Sequence, residues 1–177
     1  MNTAEWLTRG TVWLALTLYV AAELAVAFKR GVAGGLARGL NTVGVAVYVL
    51  HVVCAFHFYH QWSHSVAYAD TARQTAEFSG WNWGGGLYVN YLFTLVWLSE
   101  LIWWWASPTT FARRPRWMGR VVRGFFMFMT FNGAVVFAHS PMRWYGVVLC
   151  VLLVVSWWRL WKRASSNQKV QQTENVF

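Results

Sequence analysis

Five apolar runs, at residues 11–28, 42–62, 87–106, 121–139 and 144–161, dominate this chain and limit what it can fold into. Each has about the twenty residues that a helix needs to cross the hydrocarbon core of a bilayer. Backbone in hydrocarbon must satisfy its own hydrogen bonds, so each run is expected to be a helix. The fold class is therefore all-α: a polytopic membrane helical bundle of five transmembrane helices. The runner-up count is four, with residues 121–161 forming one crossing plus a surface helix. Residues 1–163 make a single transmembrane domain, and the polar residues 164–177 a disordered cytoplasmic tail. The first run resembles a secretory signal, with Ala25, Val26 and Ala27 as a cleavage site. Lys29 and Arg30 follow it rather than precede it, which favours a retained helix.

Charge gives a direction to the bundle. Lys29, Arg30 and Arg38 follow the first run, Arg113, Arg114, Arg116, Arg120 and Arg123 cluster after the third, and Arg159, Lys162 and Arg163 end the fifth. The opposite ends carry few basic residues. The positive-inside rule then sets the amino terminus outside and the carboxyl terminus inside, in a multi-pass cell (inner) membrane protein. Of the 14 tryptophans, Trp62, Trp81, Trp83 and Trp144 fall at the outer edge. Trp103, Trp104, Trp105, Trp157, Trp158 and Trp161 fall at the inner one, as interfacial belts require. The net charge of +9 lies between apolar runs rather than along an exposed face. It points to the lipid bilayer, with anionic lipids at the Arg113 to Arg123 loop, and not to nucleic acid. Subunits of a membrane complex, or further copies of the chain, are the remaining partners expected.

The links carry little chemistry of their own. Residues 63–83 are polar and rich in alanine, threonine and glutamine, which predicts a short surface helix. Gly84, Gly85 and Gly86 then break the chain, without the Gly-Lys-Ser/Thr of a phosphate loop. Cys54 and Cys150 lack a C-x-x-C pattern and read as small buried side chains. Both fall in the outer half, where a bridge between them is geometrically open.

Histidine supplies the most pointed polar signal. His51, His57, His60 and His64 lie in one segment, and His139 ends the fourth run. On a continuous helix His60 and His64 fall within about 60° of His57, and so do Cys54, Gln61 and Tyr68 on its other side. His51 lies about 120° off, nearer mid-bilayer. His139 reaches about the depth of His60 by rise per residue, so His57, His60, His64 and His139 are metal or haem ligand candidates if the second and fourth helices adjoin. Copper, zinc, iron or haem b suits imidazole, with Cys54, Gln61, Tyr68, Asp70 and Glu77 around the ligands.

Glu23 and Glu100 are the only acids inside the runs, and both fall near one level toward the inner side. A carboxylate there is paired, for example with Arg123 or Arg159, or carries a proton. With His51 and Asn132 they outline a proton path across the bilayer.

Five crossings, an outside amino terminus and membrane histidines resemble in outline the small cytochrome b subunits of respiratory enzymes. Those subunits distribute paired histidines over two helices. Only His139 lies off the second run here, so the resemblance implies one bis-histidine haem at most. Three functions follow as expectations. The first is a redox or metal-handling membrane protein with an outer histidine cluster. The second is a proton- or ion-translocating protein using Glu23, Glu100 and His51. The third is a non-catalytic accessory subunit. No serine, cysteine or lysine stands beside a base with nucleophile spacing, which argues against a stand-alone enzyme.

Overall fold

The computed structural model describes residues 3–28, 35–138 and 142–174, and all regular structure among them is helical. In chain order, α1 is Thr3–Phe28, α2 Gly35–Phe58, α3 His64–Ser79, α4 Gly86–Ala106, α5 Pro108–Ala112 and α6 Arg116–Phe131. A π-helical turn, Asn132–Val136, extends α6, and α7 is Met142–Glu174.

Three helices are long and apolar enough to cross a membrane: α1, α2 and the Met142–Arg163 part of α7. Glu100 and the tryptophans of α4 lower its hydropathy, and α6 begins with Arg116, Arg120 and Arg123. Both α4 and α6 nonetheless expose large apolar side chains, as the other long helices do. Leu92, Leu95 and Ile102 of α4 and Phe128 of α6 are exposed, like Leu14, Val43 and Val151 on α1, α2 and α7. Exposed aliphatic side chains on every long helix are what a hydrocarbon surround favours.

Several bounds differ from the apolar runs. Helix α1 starts at Thr3 rather than residue 11, helped by Glu5 in its first turn and the Glu5–Arg9 pair at 2.8 Å. Helix α2 starts at Gly35, because Leu36, Ala37 and Arg38 are good helix formers. It stops at Phe58, four residues short of the expected bound. Helix α7 continues to Glu174, through the tail expected to be disordered, since residues 164–174 contain neither glycine nor proline. The surface helix expected in residues 63–83 is α3. The Ser63 hydroxyl accepts from the Val66 N–H at its start, and Gly80 closes it at φ 76°.

The long helices close a ring: α1 packs on α2 and α7, α2 on α4, α4 on α6, and α6 on α7. An aromatic cluster fills the middle. Tyr19 of α1, Tyr48 of α2, Phe93 and Trp97 of α4 and Phe126 of α6 are all buried. The Tyr19–Phe126 centroids are 4.5 Å apart and the Tyr48–Phe93 rings meet edge to face at 5.2 Å. Such pairs contribute about 0.5–1.5 kcal/mol each beyond their burial. Trp97 is 1% exposed, and its indole N–H donates to Asn41 Oδ1 at 2.9 Å, so no polar atom of the ring is stranded. Gly44 permits this approach, because a Cβ there would already touch Leu18 and Trp97 at 3.4 Å.

Candidate functional site

Two polar regions lie at opposite ends of the ring. The first carries the histidines. Helix α2 ends in a tight turn: the Trp62 N–H donates to the Phe56 carbonyl at 3.1 Å, while Gln61 and Trp62 take φ of 49° and 58°. Non-glycine residues in this left-handed region hold strain of about 1–2 kcal/mol each. The turn ends the helical phase that was expected to align His57, His60 and His64. His57 is on the last turn of α2, His60 and Gln61 are in the loop, and His64 opens α3.

Each imidazole then has its own neighbours. His57 is exposed, its ring 4.8 Å from Phe58. His60 Nδ1 donates to Asp70 of α3 at 3.2 Å, and Asp70 also accepts from Arg73 at 3.3 Å. Glu77 pairs with the same Arg73 at 3.5 Å. His64 hydrogen-bonds the Tyr91 hydroxyl at 3.1 Å and lies 3.5 Å from that of Tyr88, whose ring also meets Tyr68. His51 Nδ1 donates to the Thr8 carbonyl at 2.8 Å, tying α2 to α1. Cys54 is buried, and both cysteines are free thiols, so the bridge considered for them is not formed. His139 lies outside the described residues. Among the described residues, no group of three or more His, Cys, Asp or Glu is placed to hold a metal ion. Helices α2 and α6, whose adjacency a shared ligand set would need, are separated in the ring by α4 on one side and by α1 and α7 on the other.

The glycine break has a packing role. A Cβ at Gly84 would lie 2.7 Å from the Tyr68 ring, so the bare backbone lets α3 lie against the loop before α4.

The second region is a cavity of about 690 Å³ at the basic end. Glu23 and Glu100, from α1 and α4, both line it. Ser107 and Pro108 interrupt α4, and the short α5 folds the chain back so that Phe111 stacks on Trp104 at 5.1 Å with 8° between planes. The Arg114 guanidinium lies 4.1 Å over the Phe111 ring and hydrogen-bonds Glu100. Those two side chains are only 14% and 13% exposed. Arg123 Nε donates to Glu23 at 3.2 Å, making a second pair on the same wall. Arg159, the other partner considered for these acids, instead stacks over Phe28 at 4.0 Å.

Arg116, Arg120 and Arg123 are spaced i, i+4 and i+7 on α6, so one helix face carries all three into the cavity. The aromatic cluster forms the floor: Tyr19, Trp97 and Phe126 belong to both. Trp157 also lines the cavity, and its buried indole N–H has no hydrogen-bond partner among the described residues. Of the proton-path candidates, Glu23 and Glu100 converge here. His51 is at the other end, and Asn132 donates its side-chain amide to the Phe128 carbonyl at 2.8 Å, where the π turn begins.

The arginine face is not among the features expected from the sequence. Its signal is the i, i+4, i+7 spacing, but the expected bounds put Arg116 and Arg120 in a headgroup-facing link and only Arg123 in the fourth run. No family model, curated protein or solved structure matches this chain.

Proposed function

We propose that this chain is an ion-translocating membrane protein whose working site is the basic-end cavity. In this reading it crosses the cell membrane five times, amino terminus outside, with the cavity open to the inside. The exposed apolar side chains of α4 and α6 and the places of these helices in the ring support the fourth and fifth crossings. The observation that carries the function is the meeting of Glu23 and Glu100 on one cavity wall, each beside an arginine, above a closed aromatic floor.

Charge balance suggests how such a site works. Each carboxylate–guanidinium pair is neutral overall, which a weakly solvated site requires. An anion that takes Arg114 or Arg123 from its carboxylate leaves a negative charge behind. A proton taken up by Glu100 or Glu23 removes it. Anion and proton therefore enter together, and the net charge of the cavity is the same before and after loading. Rearrangement of the aromatic floor would then pass the load toward the histidine end.

The histidine reading, with a transition metal or haem, has less support, because His51, His60 and His64 are hydrogen-bonded to separate partners. The test is proton uptake into proteoliposomes driven by a pH gradient, followed with an entrapped dye, with chloride and phosphate as co-ions. Saturable uptake that falls at least about tenfold in E100Q/R114Q is expected, a loss of about 1.4 kcal/mol in barrier terms. Uptake no faster than in empty vesicles, or unchanged in the variant, would refute the proposal.

A further inference from the structure

We propose that the basic-end cavity takes a phosphate ester carrying an apolar body, held by Arg116, Arg120 and the Trp157 indole N–H. This deepens the reading of the cavity as the working site and rests on it.

The charge argument comes first. Four arginines, Arg114, Arg116, Arg120 and Arg123, line the cavity with two acids, Glu23 and Glu100. Both acids are already paired, with Arg123 and Arg114. Among the described residues no carboxylate pairs with Arg116 or Arg120, and both are exposed. The cavity therefore keeps an excess of positive charge, and an anion is its natural occupant.

Donor geometry narrows the class. Arg116 and Arg120 stand one turn apart on α6, with Cβ atoms about 5–6 Å from each other. Each guanidinium offers a planar fork that fits two oxygens. Trp157 adds a donor from α7, a different helix, and that donor is buried without a partner among the described residues. Three donor groups on the wall of one cavity match the several oxygens of a tetrahedral phosphate better than the two coplanar oxygens of a carboxylate. A halide is far too small for about 690 Å³, which is within the usual range for organic ligands.

Most of the remaining wall is apolar. The Trp104–Phe111 stack and Trp161 line the same space. They would cover an aromatic or acyl portion attached to the phosphate. Such a molecule is either a phospholipid headgroup region or a soluble organic phosphate.

Isothermal titration of the full chain in maltoside micelles separates these cases, with 1-naphthyl phosphate, a short-chain phosphatidic acid and inorganic phosphate as probes. Saturable binding of at least one ester, at least about tenfold tighter than inorganic phosphate, is expected. Preference for the naphthyl ester names a soluble ligand, and preference for phosphatidic acid names a lipid. R116Q/R120Q should weaken the preferred ester at least about tenfold, and W157F by a few fold. If R116Q/R120Q fails to fold, R120K replaces it; it keeps the charge but loses the fork, and about threefold weakening is required. No saturable ester binding, equal affinity for inorganic phosphate, or undiminished binding by the folded variant would overturn the proposal. Micelles hold no gradient, so binding without vesicle uptake sinks the transport reading alone. Uptake without ester binding sinks only this one.

Discussion

Glu100 and Arg114 show most plainly how single side chains shape this protein. Both are less than one-sixth exposed, so each would be left as an unpaired charge if the other were removed. E100Q and R114Q are each expected to destabilise the fold by about 3 kcal/mol, while E100Q/R114Q recovers most of that loss. Thermal unfolding of the three variants in detergent closes the cycle, and additive losses would show that the pair is not coupled. Gln61 offers a test at the histidine end. Its φ of 49° suits glycine better than glutamine, so Q61G should hold or raise stability by up to about 1 kcal/mol. Q61V, branched at Cβ, should lower it by at least as much. A lower melting temperature for Q61G than for Q61V would remove strain as the account of this turn.

The elements meet most tightly where α7 crosses the π turn. A Cβ on Gly146 would collide with the backbone carbonyl of Ala134, which is itself fully buried. G146A is therefore expected to cost about 1–3 kcal/mol, read as a lower melting temperature, whereas the same change at Gly124, with open space around it, should cost nothing. Equal effects at the two glycines would contradict the packing. Much of this level was legible in the sequence. Hydropathy located every long helix, the Ala- and Thr-rich link gave α3, and the triple glycine marked the start of α4. What misled was the assumption of continuity. Nothing in the composition of residues 59–63 announces a helix stop, since the two left-handed positions are Gln61 and Trp62 rather than glycine. One turn in the wrong conformation was enough to gather His57, His60 and His64 on a face they do not share. The opposite error hid the cavity. The expected fourth run begins at residue 121 and leaves Arg116 and Arg120 in a link, although the Arg116 to Arg123 spacing is helical and its face joins the one that ends in Phe126.

At the scale of the whole molecule, a ring of helices encloses an aromatic plug with a charged, hollow end on one side and a histidine-bonded cap on the other. The functional account depends on the hollow being a water-accessible space that opens toward the inside of the cell. Ala22 lines it and is 4% exposed, whereas Leu14, on the same helix, is 50% exposed on the outer surface of the bundle. In a chain carrying Cys54→Ala and Cys150→Ala, a cysteine can be placed at either position and treated with a small, negatively charged thiosulfonate that does not cross lipid. In inside-out vesicles the reagent should modify A22C at least about tenfold faster than L14C, and in right-side-out vesicles it should leave both untouched. Modification of A22C from the opposite side, or at no greater rate than L14C, would contradict the account.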